Sequence, residues 1–351
     1  MEDLLDLSEL RDAVRGALKD RELTIPGEEG RPMDRALWRD MAALGWLGLG
    51  VDGAYGGLGQ SFAHLALLHE ELGRIVASTP TLTTFAAAGM ISAHGDESTK
   101  AEILPAIAAG ELSVGLTLSN NAVRADGGRL SGVLEDVLFG ADVDLIGIGA
   151  DGCVAFIRRD QAGVSVQETP IVDLTRKMVR LKLDGVEPIS KIDVTQSQLA
   201  TVQDEIAVAV ACDAIGGAQA ILERTIEYLG MRMQFGRPIG SFQALKHRVA
   251  HWKVQLEAAA VLIRHAASAI GAEEGASALS SGAKFYACDL YAAVAEDAIQ
   301  LHGGIGFTWE HPCHLFLKRA KLNQQLFGDS IAHKERTARL AFGGSINSGH
   351  R

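Results

Sequence analysis

The sequence predicts a mainly α protein with a middle β domain, and three observations support this fold class. Residues 206–301 read as long amphipathic helices with apolar residues at spacings of three and four. Residues 111–200 change to short apolar or alternating runs, which are typical of strands. Residues 1–110 have helical spacing again. We therefore expect an N-terminal helical domain at 1–110, a small β-barrel or sandwich at 111–200 and a C-terminal four-helix bundle at 201–351.

Length, charge and cysteine content exclude several classes of protein. The chain has 351 residues, enough for two or three domains. Its net charge is -11 and it has no Lys/Arg-rich run, which argues against binding to nucleic acid. The four cysteines are scattered, so we expect buried thiols in a reducing cytoplasm rather than a disulfide framework or a zinc site. An acidic N-terminus and the lack of an apolar run of about 18 residues predict neither a signal peptide nor a membrane span.

The N-terminal domain begins with an amphipathic helix over Leu4–Leu18. Asp34 precedes a second helical run and is a plausible N-cap. Helical patterns continue at 62–75 and 100–109. Between the helical run after Asp34 and residue 62, Gly45–Gly59 is rich in glycine, which indicates a tight crossing between helices. A P-loop is not expected there, because no strand precedes the glycines and no Lys-Ser/Thr pair follows them.

The middle and C-terminal domains have the clearest periodicity. Val179–Leu183 alternates apolar and polar residues, as in a strand with one buried face. After a hinge at 231–240, one helix has an apolar stripe that predicts coiled-coil-like packing. The stripe consists of Phe242, Leu245, Val249, Trp252, Leu256, Ala259 and Ile263. A third helix follows a break near Gly275, and the fourth helical stretch at 312–340 is expected to break at Gly328.

Four separated motifs lie on this framework. Arg232-Met-Gln-Phe-Gly-Arg-Pro-Ile-Gly240 joins the first two bundle helices and is followed by Phe242-Gln243. Gln300-Leu-His-Gly-Gly-Ile-Gly306 ends the third helix, and Tyr55-Gly-Gly-Leu-Gly59 lies in the first domain. Together with the domain order, these motifs resemble the acyl-CoA dehydrogenase family over nearly the whole chain. The family's forms are R-x-x-F-G-x-x-[IL], F-Q, Q-x-x-G-G-x-G and Y-G-G-x-G.

The resemblance implies an FAD cofactor and identifies two sets of contacts with it. One set would contact the diphosphate and adenine side of a neighbouring subunit's FAD, where a guanidinium suits diphosphate and a phenyl face suits a ring. That set is Arg232, Phe235 and Gln243. The other set would make a second diphosphate contact, since glycines let the backbone approach a phosphate. That set is Gln300, Gly303 and Gly304.

The resemblance also implies a reaction and partners. The expected reaction is α,β-dehydrogenation of an acyl-CoA thioester, as in lipid or steroid β-oxidation, with an electron-transfer flavoprotein as acceptor. The expected assembly is a homo- or hetero-oligomer, such as a dimer of dimers. Two alternatives stay open: a non-catalytic or half-site subunit of a heteromeric acyl-CoA dehydrogenase, and a related flavin oxidase.

The middle domain departs from the family's T-E-P-x-A-G-S-D segment, whose threonine contacts the flavin ring. In the run from Leu116 to Ala122 only Thr117 is kept, so it is either a flavin contact or an ordinary strand residue.

The catalytic base is not settled by the motifs. Phe327 stands where many family members have the catalytic glutamate. Asp329 lies two residues later and is our candidate for the base, with an N-cap of the last helix as the alternative. Other members place the base on the first bundle helix, where Ile206 falls. Glu205 is one residue away, a rotation of about 100° on a helix, and is the weaker candidate.

The histidines suggest no metal chemistry. His311 and His314 have helical spacing without a carboxylate partner, and Arg248 replaces the glutamate that an H-E-x-x-H site would need between His247 and His251. We therefore expect no metal site.

Overall fold

The computed structural model describes residues 5–21, 23–27, 30–118, 123–150, 152–271 and 275–343. The helices in these ranges are α1 (Leu7–Leu18), α2 (Arg35–Ala43), α3 (Phe62–Arg74), α4 (Thr81–His94), α5 (Glu97–Ala108), α6 (Gln196–Met231), α7 (Gln243–Ala269), α8 (Ala276–His302), α9 (Cys313–Gln325) and α10 (Ser330–Ala341). The strands are β1 (Val114–Thr117), β2 (Val123–Asp126), β3 (Arg129–Leu138), β4 (Leu145–Ala150), β5 (Cys153–Arg158), β6 (Val164–Thr169), β7 (Met178–Val186), β8 (Ser190–Asp193), β9 (Met233–Gln234) and β10 (Arg237–Pro238).

The order of elements is helices, then two sheets, then long helices, so the predicted fold class is confirmed. The chain divides into two compact units. The first contains Met1–Asp6, Pro26–Leu65 and Ser78–Ile206, and the second contains Leu7–Ile25, Ala66–Ala77 and Ala207–Arg351. The boundaries of the three predicted domains stay a prediction.

Two four-stranded sheets form in the first unit. One has the order β1-β4-β5-β8, in which β1 and β4 are parallel and the other pairs antiparallel. The other has the order β2-β3-β7-β6 and is antiparallel throughout. All six residues of β4 are buried, which explains its continuous apolar sequence. The short strands β2 and β8 have little periodicity, and the sequence did not predict them.

Helix α4 of the first unit was also missed by the sequence analysis. Ten of its residues are buried, and they lie on every side of the helix. A helix buried all round has no apolar stripe, so the periodicity that identifies surface helices is absent. Two side chains fix it to the sheet: the hydroxyls of Thr83 and Thr84 donate to the Val114 carbonyl at 2.8 and 3.2 Å, respectively.

The predicted bundle helices form in the second unit. The break at Gly328 between α9 and α10 is confirmed, and this residue has φ +102°. On α7, the stripe is buried from Leu256 onward, whereas its first four members, from Phe242 to Trp252, are only half-buried. The first half of the stripe therefore has more apolar surface than this chain covers.

Helix α6 is the longest helix among the described residues and contributes to both units. It is also the one described helix that is long and apolar enough, by length and composition, to cross a membrane. Within the protein, 89% of its most apolar stretch is buried, as is common for a core helix.

In the second unit, α6 crosses α3 with the two backbones in direct contact. A Cβ on Gly216 would lie 1.9 Å from the Glu70 carbonyl oxygen, and one on Gly73 would lie 2.2 Å from that of Asp213. Real side chains cannot approach backbone atoms this closely, so both crossing positions require glycine.

We predict that Gly216→Ala lowers the free energy of unfolding by about 3 kcal/mol or more, because the added methyl group forces the two helices apart. The matched control is Gly282→Ala in α8, where a Cβ would meet nothing within 4 Å. The control should be neutral or stabilising by roughly 0.5–1 kcal/mol. Denaturant unfolding measures both changes. An equal effect of the two variants would contradict the close crossing.

Candidate functional site

A cavity of about 130 Å³ lies in the first unit, among α3, α4, the start of α6 and the glycine-rich segment before α3. Its walls are mainly apolar and are formed by Leu47, Val51, Phe62, Leu65 and Phe85. Two side chains with polar ends, Gln60 and Glu205, also line it. An apolar cavity with few polar groups is the usual form of a small-molecule site.

The glycine-rich segment owes its shape to the absence of side chains. A Cβ on Gly57 would lie 2.0 Å from the Val51 carbonyl oxygen. Gln60 closes this segment: its Oε1 accepts the Leu5 amide at 2.9 Å, and its Nε2 donates to the Leu58 carbonyl at 2.9 Å. Both polar ends of Gln60 are therefore used within the fold.

The carboxylate of Glu205 differs from Gln60 in having no such contacts. The side chain is half-buried, and among the described residues it has no hydrogen-bond or ion-pair partner. Desolvation by burial raises the pKa of Glu205 to about 7, and the neighbouring Asp204 carboxylate adds to the rise. At neutral pH such a group can both take and release a proton, which is the property required of a general base.

Space in front of this carboxylate is kept by Gly89 of α4. A Cβ at this position would lie 3.3 Å from Oε2 of Glu205, so any larger residue would crowd the oxygen. Neither Gly89 nor Phe85 is predicted from the sequence, because both belong to α4, which has no apolar stripe. The signal that could have found them is the run of apolar and small residues after Pro80, which is long enough for a helix buried on all sides.

The predicted FAD contacts lie in the second unit, and the first group is in the hairpin after α6. Strands β9 and β10 pair around Phe235 and Gly236, and Phe235 has φ +52° and is 90% exposed. Its ring meets that of Phe242 edge-on at 6.1 Å, and Arg237 lies over the Phe242 ring at 4.0 Å. The side chains of Arg232 and Gln243 are exposed and make no hydrogen bond within the part of the chain that the structure describes. Polar and aromatic groups left open in this way fit a ligand with a diphosphate and a ring.

The second group lies at the end of α8. Gly303 has φ +65°, and added Cβ atoms on Gly303 and Gly304 would meet nothing within 4 Å. The backbone there is open to the approach of a phosphate, as the resemblance requires. Gln300 is exposed on the last turn of the helix.

One contact brings the two groups to the same end of the helical unit. The Tyr228 hydroxyl donates to the His302 carbonyl at 3.2 Å, and the two rings stack with centroids 4.5 Å apart. Tyr228 lies one turn before Arg232, and His302 directly precedes Gly303. The ends of α6 and α8 are thereby joined.

The remaining predicted residues have simpler surroundings. Thr117 is the half-buried last residue of β1, in register with Ile148; residues 119–122 of the same run lie outside the described residues. Asp329 is the N-cap of α10, and its Oδ1 accepts the Ala332 amide at 2.8 Å. This is the capping role that the sequence offered as the alternative. That Asp329 acts as a base, and that Thr117 contacts a flavin, stay predictions.

Comparisons with known proteins give a consistent result. A family model described as acyl-CoA dehydrogenase, C-terminal domain, matches residues 196–341, and one described as acyl-CoA dehydrogenase, N-terminal domain, matches residues 6–111. Acyl-CoA dehydrogenase IpdE2 of Mycobacterium tuberculosis is 33% identical over 298 residues, which cover 84% of this chain and 83% of that protein.

Solved structures agree in fold. The structure described as the Tcur3481-Tcur3483 steroid ACAD G363A variant is 28% identical, has a TM-score of 0.87 and covers 96% of this chain and 98% of the other. The ChsE4-ChsE5 complex from Mycobacterium tuberculosis is 24% identical, with a TM-score of 0.85 and coverage of 96% of each chain, and shows likeness of fold alone.

The raised pKa of Glu205 predicts a pH-dependent stability cost. The folded protein keeps the proton at pH values where the unfolded chain has released it, so the contribution of this group falls as pH rises from 4.5 to about 7. Above that window the cost is about 3 kcal/mol. We predict that Glu205→Gln is more stable than the wild type by up to that amount at pH 8 and equally stable below pH 4.5.

Denaturant unfolding across this pH range measures the difference. The control Glu102→Gln changes an exposed carboxylate of α5 and should alter the free energy of unfolding by no more than about 0.5 kcal/mol. A gain for Glu205→Gln that is the same at every pH would contradict the buried-carboxylate assignment.

Proposed function

This chain belongs to the acyl-CoA dehydrogenase family, and on that premise we propose that it catalyses the α,β-dehydrogenation of an acyl-CoA thioester with FAD and that Glu205 is the base. The family consists of oxidoreductases that act on CH–CH bonds with a flavin cofactor. The observation that carries the assignment to this chain is the carboxylate of Glu205 in an apolar cavity, without a partner among the described residues and with a pKa of about 7.

The chemistry of the cavity fits removal of a weakly acidic proton. Glu205 would take the proton on the carbon next to the thioester carbonyl, and its carboxylate is a stronger base than a solvated one because burial disfavours its charge. The apolar walls around it keep water away from the reacting carbon. Gly89 leaves room for the substrate beside Oε2. FAD, when bound, supplies the acceptor for the hydride that leaves the β-carbon.

Asp329 remains the other candidate base in this chain. Its carboxylate already accepts a backbone amide as the cap of α10, so one of its oxygens is used within the fold. Glu205 has no such bond within the described residues. The contacts therefore favour Glu205, although the sequence ranked Asp329 first.

The family resemblance supports a cofactor site shared between chains. In the arrangement that it implies, Arg232, Phe235 and Gln243 contact the FAD of another copy or of a homologous partner.

We propose on these grounds an oligomer, homo- or heteromeric, with a dimer of dimers as the expected tetramer. The half-buried start of the α7 stripe offers it an apolar contact surface. Of the two solved structures described above, one is the ChsE4-ChsE5 complex. The description of the other names two components, Tcur3481 and Tcur3483. Sedimentation and native mass spectrometry with homologues encoded nearby should find FAD only in species of two chains or more. A monomer with stoichiometric FAD would contradict the shared site.

The substrate, acceptor and location proposed here follow the family. Resemblance to IpdE2 and to a structure described as a steroid ACAD favours a CoA thioester from lipid or steroid breakdown by β-oxidation. We propose an electron-transfer flavoprotein as electron acceptor and the cytoplasm as location. No binding to nucleic acid is proposed.

A second function is favoured by one specific observation. Phe327 stands at the position of the family's frequent catalytic glutamate, so the chain could be the supporting subunit of a heteromer whose base comes from its partner. The variants below distinguish the two, because a supporting subunit would tolerate the loss of Glu205. Oxygen as acceptor would instead indicate a flavin oxidase.

We predict that Glu205→Gln lowers the rate of flavin reduction by acyl-CoA about 10²–10⁴-fold, since the amide cannot take a proton. Anaerobic stopped-flow absorbance measures this rate. The matched control is Asp329→Asn, which keeps the cap because Asn and Asp cap equally well, and should keep near-normal reduction. The reverse outcome would assign the base to Asp329, and normal reduction in both variants would favour the supporting-subunit function.

The wild-type rate should also depend on pH in a defined direction. Only the deprotonated carboxylate can act as a base, so kcat/KM should rise with pH and level off above about 7, the pKa of Glu205. Initial rates across the pH range with a single acyl-CoA measure the profile. A rate that is flat through this window would contradict the proposed base.

We predict that Arg232→Ala weakens FAD binding roughly ten- to hundredfold, because it removes a charge-assisted contact worth about 1.5–3 kcal/mol. Flavin retention during dialysis and isothermal titration measure the loss. The control is Arg180→Ala on β7, whose guanidinium pairs with Glu135 at an exposed site and should leave FAD binding unchanged. If both variants retain FAD equally, Arg232 is not a cofactor contact.

A further inference from the structure

Three side chains with metal-binding atoms converge where α8 turns into α9. His302 is the last residue of α8, Cys313 is the first of α9, and His311 lies in the turn between them. One ligand atom from each lies within 4.8 Å of the others. In the sequence, His311 has helical spacing with His314, so its proximity to His302 and Cys313 is not evident from the pattern.

The spacing of these atoms suits a single small ion. Three atoms no more than 4.8 Å apart share a point within about 2.8 Å of all of them, and bonds from zinc to nitrogen and sulfur are about 2.0–2.3 Å long. Shifts of less than about 1 Å per atom therefore complete the coordination. Movements of that size are available to side-chain torsions without moving the helices.

The surroundings hold the ligands in place. Tyr228 stacks on the His302 ring, and the ring centroids of His302 and His311 are 4.5 Å apart. Nδ1 of His302 lies 3.5 Å from Sγ of Cys313 and 2.8 Å from the Ala298 carbonyl oxygen. That carbonyl lies within α8 and accepts a helical amide as well, so it keeps a partner whichever ring nitrogen carries the proton.

We propose that His302, His311 and Cys313 form a binding site for one thiophilic d10 metal ion, Zn²⁺ or Cu⁺. The donor set of two imidazoles and a thiolate selects soft or borderline ions over Mg²⁺ and Ca²⁺. Binding releases the thiol proton of Cys313 to solvent and involves no change of oxidation state. His302 and Cys313 are buried and His311 is half-buried, so an ion enters past His311.

Charge and ligand number separate the two ions. The positive charge of Arg224 acts on both His311 and Cys313. It opposes a divalent ion more than a monovalent one, whose charge the thiolate cancels. The described residues offer three ligands, which is complete for three-coordinate Cu⁺, whereas Zn²⁺ would add a water as its fourth ligand.

A bound ion would have a structural consequence for the predicted cofactor site. The ion would join the two ends of the turn that carries Gly303 and Gly304, the predicted diphosphate contacts. A metal at this place acts as a cross-link across ten residues and restricts the motion of the glycines. The inference does not depend on the proposed reaction.

The site is tested by equilibrium dialysis. The flavoprotein is treated with a chelator, its thiols are kept reduced, and it is dialysed against Zn²⁺ or Cu⁺ before elemental analysis of the bound metal. We expect one ion per chain and a rise in melting temperature. Cys313→Ala and His311→Gln should each weaken binding at least about tenfold, while the controls Cys153→Ala and His314→Gln should bind as the wild type does. Binding of Zn²⁺ identifies the four-coordinate form and binding of Cu⁺ alone the three-coordinate form.

A spectroscopic measurement makes the test independent of how the variants fold. Co²⁺ introduced into the wild type should give the d–d absorption bands of a low-coordinate site, at wavelengths longer than those at which the flavin absorbs. The Co²⁺ spectrum should also show that a thiolate is one of the ligands. Absence of stoichiometric Zn²⁺ and Cu⁺ binding by the wild type would overturn the proposal. So would unchanged binding by a folded Cys313→Ala variant.

Discussion

A buried guanidinium, that of Arg319, is the interaction on which the helical unit depends. It donates to Asp213 Oδ1 at 2.9 Å and to the carbonyls of Val76 and Ala77 at 3.1 and 2.9 Å. Asn323 donates to the other Asp213 oxygen at 2.7 Å. The cluster joins α9, α6 and the segment that follows α3, where Val76 has φ +44°. The charges of Arg319 and Asp213 are buried and compensate each other, so loss of one partner would cost about 3–5 kcal/mol.

The candidate base illustrates the opposite arrangement. The guanidinium of Arg319 donates hydrogen bonds to several acceptors, whereas Glu205 lies against apolar walls and has no partner among the residues described. A group in that state reduces stability at neutral pH, and proteins retain such groups mainly where their reactivity is used. Two of the carboxylates of α6, at positions 205 and 213, therefore have different environments although they are only eight residues apart in the sequence. The surroundings of each carboxylate on the helix therefore decide whether it stabilises the fold or is left available for proton transfer.

Features of the fold that depend on neighbouring residues in the sequence could be predicted from it. The α7 stripe, the Asp34 cap and the Gly328 break each follow from periodicity, capping or a positive φ, and all three are present. The family motifs predicted the turns at the ends of α6 and α8. Features that depend on tertiary packing were not predicted. Helix α4 has no apolar stripe because it is buried on every side. The surroundings of a side chain, likewise, do not follow from its position in a motif.

The ranking of Asp329 above Glu205 as the base stays a prediction. It rested on a one-residue offset, which on an ideal helix turns a side chain by about 100°. That argument assumes a register between this chain and its relatives that the motifs do not fix. The helical spacing of His311 and His314 does not indicate which ring meets His311, because that ring belongs to His302, on the far side of a glycine turn.

The exposed hairpin after α6 affects how an unassembled copy of the chain would be treated in a cell. Met231, Met233 and Phe235 are 72%, 54% and 90% exposed, close together in the sequence. Such apolar side chains are what chaperones and proteases recognise in unassembled proteins. If the proposed oligomer forms through this hairpin, a copy without its partner and cofactor would display this signal, and assembly would cover it. The abundance of the chain in a cell would then follow the supply of its partner, which links recognition of the cofactor to quality control of the subunit.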